Sequence, residues 1–458
     1  MKTKIQKITF FLLFILITSL SSIYAIEIPN KALIGYWHNW QYPNPTPLLL
    51  DEVPIAYDVI DVAFAIPDVP LGTNMQFVPD PGMYPDPQDF IDDVLYLQSL
   101  GKAVLISIGG ATAPIHFDDS TDVQEFITSM SQIIDTYGFD GMDIDLEGGS
   151  LFLDAGDNDY RYPTTPNIVF LIQAVQGLLD LYSDDFILTM APETAYVQGA
   201  YFTYAGVYGG YLPLLHAVRD DLSIIYVQHY NTGSMYGSDG NIYYPPTADF
   251  HVAMADMLLG GFIVDFYGQH IPFDPLLPEQ VAIGLPACPD AASSGYTSPD
   301  VVHEALNYIV LGESFGGLYQ LTNPDGYPNF RGLMTWSINW DVYSSCSFSD
   351  AHRAYLDSLL PYATDGVFQE EPFSFTLSPN PVRDNISINF TLANMDKVDI
   401  SVYNCKGQLV KSHTENIPDP GEHSIIIPAK DLSNGIYFLK VQTDHHQKFS
   451  KLIVAKQK

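Results

Sequence analysis

A strand–helix–strand pattern in residues 102–147 decides the fold class. KAVLISIGG (102–110) is an almost uninterrupted apolar run rich in β-branched residues, which is typical of a buried parallel strand. In DVQEFITSMSQIIDTYG (122–138), apolar residues recur three and four positions apart, which is the spacing of one helix face. FDGMDIDLE (139–147) then alternates residue by residue, as a strand does. The stretch therefore predicts a β-α-β unit in a parallel sheet.

The same alternation of strand-like and helix-like segments runs from Lys31 to about Pro361. Its eight strand-like segments are 32–37, 58–66, 102–110, 138–147, 186–193, 223–231, 281–287 and 332–341. Eight such strands separated by helices predict an α/β fold of the (β/α)8 TIM-barrel type. An open doubly wound sheet is the alternative, but no glycine-rich phosphate loop follows the first strand.

The pattern changes after Pro361. Residues 362–372 are acidic and show no period, and residues 373–458 contain only short alternating runs separated by turns. Such runs predict a small all-β sandwich. We therefore expect a barrel domain at 26–361, a linker at 362–372 and a sandwich at 373–458.

Residues 1–25 have the pattern of a secretory signal peptide, with a basic start, a short apolar run and a small-x-small end. A membrane anchor is the alternative, but the apolar run is short for a bilayer. We predict cleavage after Ala25, export of the protein, and no stable insertion of the mature chain in a membrane.

Charge and cysteine content exclude several classes of protein. The 458 residues include 19 Lys and Arg against 54 Asp and Glu, a net charge of −35, and residues 26–371 hold 46 of these acids. Because phosphate recognition needs clustered Lys and Arg, we expect no nucleic-acid partner. The three cysteines show no metal-ligand spacing, so we expect neither a metal nor another cofactor. A disulfide between Cys288 and Cys346 stays open, since both follow predicted strands at one end of the barrel.

Acidic residues mark one end of the fourth predicted strand. Side chains alternate along a strand, so Asp143, Asp145 and Glu147 share one face, and in a barrel that face points inward. Glu147 comes last, at the end where barrel enzymes place their chemistry. Burial of three stacked carboxyls raises the pKa of at least one of them. Asp140 has the opposite parity, and we interpret it as structural.

At this point five motifs resemble those of glycoside hydrolase family 18, the chitinases and endo-β-N-acetylglucosaminidases, and most closely its bacterial chitinase D type. The matching stretches are DGMDIDLE (140–147), SIGG (107–110), MAPE (190–193), QHYN (228–231) and MTWS (334–337), together with the opening GYWHNW (35–40). The resemblance covers residues 32 to about 360. It implies that the substrate's own 2-acetamido group acts as the nucleophile, an exception to the scheme of two enzyme carboxylates.

The resemblance also implies roles for individual residues. Glu147 would protonate the glycosidic oxygen, Asp145 would hold the acetamido N–H, Asp143 would set the charge of Asp145, and Tyr230 would hold the acetamido carbonyl. Further residues are implied to contact or to shape the sugar site, namely Trp336, Gln228, Met190, Asn231, Trp37, Gly109 and Gly110. Alternatives stay open for several of these: core packing for Met190 and Trp37, a satisfied loop polar group for Asn231, and support of the carboxylates for the glycines.

The function that these patterns imply is a secreted, endo-acting chitinase whose partner is chitin or a chito-oligosaccharide. The alternatives are an endo-β-N-acetylglucosaminidase that cleaves the chitobiose core of N-glycans and, less well supported because Glu147 is present, a barrel lectin. The stretches LSPNPV (377–382), VDISVYNCKGQLV (398–410), LSNGIYFLKVQT (432–443) and KLIVAK (451–456) resemble the C-terminal sorting domain of type IX secretion. For residues 373–458 this resemblance implies the type IX secretion machinery as a second partner. A carbohydrate-binding sandwich is the alternative, but this segment contains no Trp.

Overall fold

The computed structural model describes residues 26–41, 44–183, 185–359, 375–383, 385–392, 396–404, 409–417, 419, 421–443 and 447–456. The predicted signal peptide at 1–25 and the predicted linker at 362–372 lie outside the described residues. Within the described ranges, no helix is both long enough and apolar enough to cross a bilayer.

Eight parallel strands form a closed barrel in the first domain. They are β1 Ala32–His38, β2 Val59–Pro67, β3 Ala103–Gly109, β4 Gly141–Asp145, β5 Ile187–Met190, β6 Leu222–Gln228, β7 Val281–Pro286 and β8 Gly332–Trp336. Each strand pairs with its sequence neighbours, and β1 pairs with both β2 and β8, which closes the ring. The predicted TIM barrel is confirmed, and all eight predicted strands are present.

Helices surround the barrel and cover the outer faces of the strands. They are α1 Pro87–Ser99, α2 Ser120–Tyr137, α3 Pro166–Leu179, α4 Thr194–Val197, α5 Leu212–Ala217, α6 Ala248–Gly260, α7 Pro299–Leu311, α8 Ile338–Tyr343 and α9 Ser347–Ser358. Local sequence sets their ends: Asp119 accepts a hydrogen bond from the Thr121 N–H at the start of α2, and Gly138 ends that helix at φ 72°.

Short elements decorate the loops between these strands and helices. Single turns of 3-10 helix occur at Leu50–Glu52, Gln198–Tyr201 and Pro278–Gln280. Short antiparallel strands occur at Met75–Gln76, Met235–Tyr236, Ile242–Tyr243, Phe262–Phe266 and Gln269–Phe273. No strand or helix lies between β7 and α7, so this described loop carries no inserted wall beside the barrel mouth.

The barrel has two separate apolar cores because strand residues alternate between two sides. The outer layer, between strands and helices, is built from aliphatic and aromatic side chains such as Ile106, Ile144 and Val227. A smaller cluster fills the barrel interior, which also holds buried polar side chains on the same inward parity. Cys288 and Cys346 have free thiols in the structure, so it contains no disulfide between them.

The C-terminal domain is an all-β sandwich, as predicted. Its strands are β9 Phe375–Ser378, β10 Asn385–Leu392, β11 Asp396–Asn404, β12 Leu409–Ile417, β13 Gly421–Pro428, β14 Gly435–Gln442 and β15 Gln447–Val454. They form the sheets β9-β10-β13 and β12-β11-β14-β15. The sequence pattern missed β12, since this edge strand is mostly exposed and its polar run shows no apolar alternation.

Candidate active site

Three carboxyl groups follow one another along the inner face of β4 and the turn after it, and we call Asp143, Asp145 and Glu147 the acidic column. Asp143 is fully buried, Asp145 is 3% exposed, and Glu147 is half-buried at the barrel mouth. The intervening Ile144 and Leu146 pack outside the barrel, as strand alternation requires. The column therefore runs from the dry barrel interior to the solvent at the carboxyl ends of the strands.

Hydroxyl groups surround the deepest carboxyl of the column. Tyr36 and Ser107 each donate to Asp143 Oδ2 at 2.6 Å, and Thr189 donates to Oδ1 at 2.8 Å. The Tyr226 hydroxyl lies 2.7 Å from the same Oδ1. Burial raises the pKa of Asp143, and the hydrogen bonds from these four hydroxyls oppose that rise. Such a ring of donors stabilises an ionised carboxylate in a site without water.

Gln228 links the upper two carboxyls. Its amide nitrogen donates to Asp145 Oδ1 and to Glu147 Oε1, each at 3.0 Å, and also lies 3.0 Å from the Ala191 carbonyl. Burial, followed by the charges of Glu147 and Asp143, raises the pKa of Asp145 well above its usual range. Asp145 therefore holds a proton more readily than an exposed aspartate does, and the Gln228 amide nitrogen already faces three protein acceptors.

Two further polar side chains stand beside the top of the column. Tyr230 is 5% exposed, and burial together with the charges of Asp145 and Glu147 raises the pKa of its hydroxyl well above the usual value. Tyr230 is therefore a proton donor at any working pH. Glu193 is half-buried, and burial and the charge of Glu147 raise the pKa of its carboxyl.

An aromatic floor, made of Trp336, Tyr36, Phe64 and Trp40, lies beside the column, and Tyr36 joins the two because its hydroxyl donates to Asp143. The Trp336 ring is nearly parallel to Phe64, with centroids 6.0 Å apart at 15°, and lies 5.4 Å from Tyr36. Trp40 stacks on Phe64 at 6.3 Å and 19°. Trp336 and Trp40 are partly exposed, so flat apolar faces line the mouth, and such faces suit the stacking of sugar rings.

The structure corrects two predictions of sugar contact, and strand parity is the reason for both. Trp37 is 0% exposed in the outer layer, where its Nε1 donates to the Leu48 carbonyl at 2.9 Å and its ring packs on Phe90. Met190 is also 0% exposed in the outer layer and pairs in register with the outward-facing Ile144. Neither side chain reaches the barrel mouth.

Asn231 anchors a loop through its side-chain oxygen, which agrees with the loop role left open from the sequence, and its contact with sugar stays a prediction. Its Oδ1 accepts hydrogen bonds from the backbone N–H groups of Ser293 and Ser294, at 2.9 and 3.2 Å. Its own backbone has φ 51°, a conformation that Asn tolerates better than most residues. The side chain therefore fixes the loop after β7 against the end of β6.

The two glycines after β3 permit close packing beside the column. A Cβ atom on Gly109 would lie 2.3 Å from the Asp145 carbonyl oxygen, and one on Gly110 would lie 2.8 Å from the Phe64 ring. Both residues also have positive φ, 99° and 71°. Their described contacts are with the column and the floor, which agrees with the supporting role left open from the sequence.

Several residues of the site were not among those predicted from the sequence. Tyr36, Thr189 and Tyr226 all bond to Asp143, and Phe64 forms part of the floor. Tyr226 could have been found, because it shares the inward parity of Gln228 on β6. Phe64 could not, since β2 is shifted in its pairing with β3 between Ala63 and Ala65, and simple alternation fails there.

Comparisons with known proteins agree with this geometry. Residues 32–257 match the family model of glycosyl hydrolases family 18, and residues 376–455 match that of the secretion system C-terminal sorting domain. Chitinase D of Niallia circulans is 52% identical over 340 residues, covering 74% of this chain and 64% of that protein, so the chain spans less than two thirds of its length. A probable class II chitinase of Arthroderma benhamiae is 40% identical, and the match covers 68% of this chain and 95% of the relative.

A solved structure gives the same result for the barrel. The family GH18 chitinase from Chromobacterium violaceum superimposes with a TM-score of 0.66 and 37% identity, covering 72% of this chain and 84% of the other. The acidic column, its hydroxyl ring and these sequence matches fall in the same part of the molecule. The chain therefore belongs to glycoside hydrolase family 18.

Proposed function

We propose that the barrel is a chitinase, which hydrolyses the β-1,4 bonds between N-acetylglucosamine units with retention of configuration. The observation that carries the proposal is the Gln228 bridge between Asp145 and Glu147, which holds these two carboxyls of the acidic column together at the barrel mouth. The identity to relatives named chitinases supports chitin as the substrate class.

Each group of the column has one step to perform. Glu147 donates its proton to the glycosidic oxygen as the bond to the anomeric carbon breaks. The acetamido carbonyl oxygen of the same sugar attacks that carbon, so the substrate supplies the nucleophile and no second enzyme carboxylate is needed. Water then opens the cyclic intermediate while Glu147 takes back a proton. The hydroxyl of the water ends on the anomeric carbon. Its proton restores Glu147 and so replaces the proton that Glu147 gave to the leaving sugar.

Asp145 and Tyr230 hold the acetamido group during this attack. Once the proton that it holds in the free site has passed to Glu147, Asp145 accepts a hydrogen bond from the acetamido N–H and balances the positive charge that develops on the ring formed by the attack. Tyr230 donates to the acetamido oxygen and orients it. Asp143 stays ionised beneath them, because four hydroxyls surround it, and its charge raises the affinity of Asp145 for a proton in the free site. Trp336 is the stacking surface for the sugar that carries the acetamido group.

A second candidate from the same family is an endo-β-N-acetylglucosaminidase that cuts the chitobiose core of N-glycans. It uses the same acetamido chemistry, so the acidic column does not distinguish it from a chitinase. A barrel lectin is disfavoured, because Glu147 is present at the mouth with its hydrogen-bonded partner.

The deciding experiment compares products from chitin oligomers of defined length and from a high-mannose glycoprotein. We expect release of short chito-oligosaccharides, first as the β-anomer, and no release of N-glycans. A preparation of Glu147→Gln serves as the matched control and should release nothing. Cleavage of the glycoprotein alone would identify the second candidate, and equal inactivity of both proteins would favour the lectin.

We further propose that the protein is exported, as an extracellular or cell-surface enzyme, with its signal peptide at 1–25, barrel at 26–361, linker at 362–372 and type IX sorting domain at 373–458. The match of residues 376–455 to a secretion sorting family supports this. A fusion of residues 362–458 behind a signal peptide should carry a reporter protein out of a host that has type IX machinery. If the isolated sandwich instead binds chitin beads, it is a carbohydrate-binding module.

A further inference from the structure

A fourth carboxyl lies at the base of the acidic column and belongs to none of the sequence motifs. Asp61, on β2, is 0% exposed inside the barrel. Its Oδ2 lies 2.7 Å from the Tyr226 hydroxyl, and its Oδ1 has no hydrogen-bond partner in the structure. Such an isolated acid is costly to bury as an anion, so its presence in this interior needs an explanation.

Counting protons around Tyr226 indicates the state of Asp61. The Tyr226 oxygen lies 2.7 Å from each of three oxygens, Asp61 Oδ2, Asp143 Oδ1 and Thr189 Oγ1, yet a phenol has one proton to donate. If both aspartates were ionised, one of the two carboxylates would face the phenol oxygen at 2.7 Å with no proton between them. A proton on Asp61 Oδ2 removes this conflict, because Asp61 then donates to Tyr226 and Tyr226 donates to Asp143.

The electrostatics of the barrel interior place the extra proton on Asp61 rather than on Asp143. Asp143 has four hydroxyl neighbours, whereas Asp61 has one. Burial and the charge of Asp143 raise the pKa of Asp61 well above its usual value, and Tyr226 opposes the rise. The other titratable groups that interact with Asp61 are Tyr36 and Asp145, and neither is a cation. A neutral carboxyl also tolerates an unpaired Oδ1 better than a carboxylate does.

We propose that Asp61 is a positioning residue that acts through Tyr226. In its neutral form it donates to the Tyr226 oxygen, which directs the Tyr226 proton to Asp143 and keeps Asp143 ionised beneath Asp145. Asp61 touches no substrate and transfers no proton during the cycle. The catalytic consequence rests on the proposed hydrolysis, whereas the protonation of Asp61 does not.

Two substitutions of similar size test whether Asp61 acts as a hydrogen-bond donor or as a negative charge. Asp61→Asn keeps an N–H that can donate to Tyr226, so we expect kcat within about threefold of wild type. Its pH profile should superimpose on that of wild type, because no charge has been removed. Asp61→Leu lacks the donor that orients the Tyr226 hydroxyl and should lose about 10-fold in kcat with KM unchanged, the upper factor that one hydrogen bond between neutral groups is worth.

Asp256→Asn is the matched control. Asp256 is equally buried on α6, where its carboxylate accepts from Tyr319, Tyr327 and Thr322, away from the column. Its substitution should lower stability without changing the pH profile. The inference is wrong if Asp61→Asn moves the limbs of the profile to lower pH by about one unit, as loss of a nearby negative charge would do, or if Asp61→Leu retains wild-type kcat.

Two further measurements cover the cases in which folding or hydrolysis fails. The infrared difference spectrum between wild type and Asp61→Asn should show the carbonyl stretch of a protonated carboxyl, and this holds whether or not the protein cleaves chitin. If that band is missing, Asp61 is ionised and the inference fails even for an active chitinase. If Asp61→Leu does not fold, Tyr226→Phe replaces it. Adding Asp61→Asn to Tyr226→Phe should then change kcat no further.

Discussion

The two faces of the barrel strands differ in chemistry although they share the same backbone. The inner face holds buried acids and hydroxyls, of which Asp143, with its ring of four hydroxyls, is the clearest case. The outer face, packed against the helices, is almost wholly apolar, with fully buried residues such as Trp37 and Met190. A residue's parity on its strand therefore says more about its role than its chemical type does.

Aspartates on the two faces of the β4 region give the largest contrast. Asp145→Asn should lower kcat by about 10²- to 10³-fold, because the acetamido group loses the carboxylate that stabilises its developing charge. Asp140→Asn, on the outer face, should leave kcat unchanged. Asp140 accepts from the Val104 N–H at 2.8 Å and from Gln98 at 2.9 Å, so its substitution should lower the free energy of unfolding by about 1 kcal/mol.

Initial rates on chito-oligosaccharides and urea titrations of the same preparations measure both quantities. Burial raises the pKa of Asp140 to about 6, so burial alone does not mark a catalytic group. If Asp140→Asn lost as much activity as Asp145→Asn, parity would not separate the two roles.

Two tryptophans extend the contrast to apolar side chains. Trp37→Ala removes a fully buried ring from the outer layer and should cost about 3 to 5 kcal/mol of stability. Trp336→Ala should raise KM for chito-oligosaccharides, since this ring is partly exposed on the floor. It should lower the free energy of unfolding by less than Trp37→Ala does. Thermal unfolding in parallel with kinetics distinguishes them, and a folded Trp37→Ala with a raised KM but native stability would contradict the placement of Trp37.

The sequence predicted the barrel well because its eight buried strands appear as eight apolar runs that alternate with helical segments, a pattern typical of few other folds. It also predicted the acidic column, since the column lies on one strand and its spacing is visible in DGMDIDLE. Its errors at Trp37 and Met190 have one source. Each lies beside a residue that does face the interior, and a motif does not record which of two neighbours points inward. Asp61 was missed because its partners, Tyr226 and Asp143, come from distant strands and meet only when the barrel closes.

The smallest expected effect concerns a pair of histidines in the outer layer. One of them, His229, is next to Gln228 in the sequence but points to the opposite side of the strand. The rings of His229 and His251 meet Nδ1 to Nδ1 at 3.0 Å, and His251 Nε2 lies 2.9 Å from Thr297 Oγ1. Only one of the two Nδ1 atoms can be a donor, so the pair cannot hold protons on both rings without losing this hydrogen bond. Burial accordingly lowers the pKa of His251 to about 4 and that of His229 well below its usual value.

This pair should make stability, but not catalysis, sensitive to acid. Between pH 6.5 and about 4 the unfolded chain binds a proton on His251 that the folded chain does not, so stability falls as pH falls, by about 3 kcal/mol for this ring. Above pH 6.5 neither state binds the proton and the effect disappears. His251→Gln should therefore flatten the pH dependence of unfolding in that window while leaving kcat at pH 7 unchanged. Unfolding curves for both proteins from pH 4 to 8 test this: parallel curves would remove the histidine pair as the cause, and a lower kcat at pH 7 would show that the outer layer does reach the chemistry.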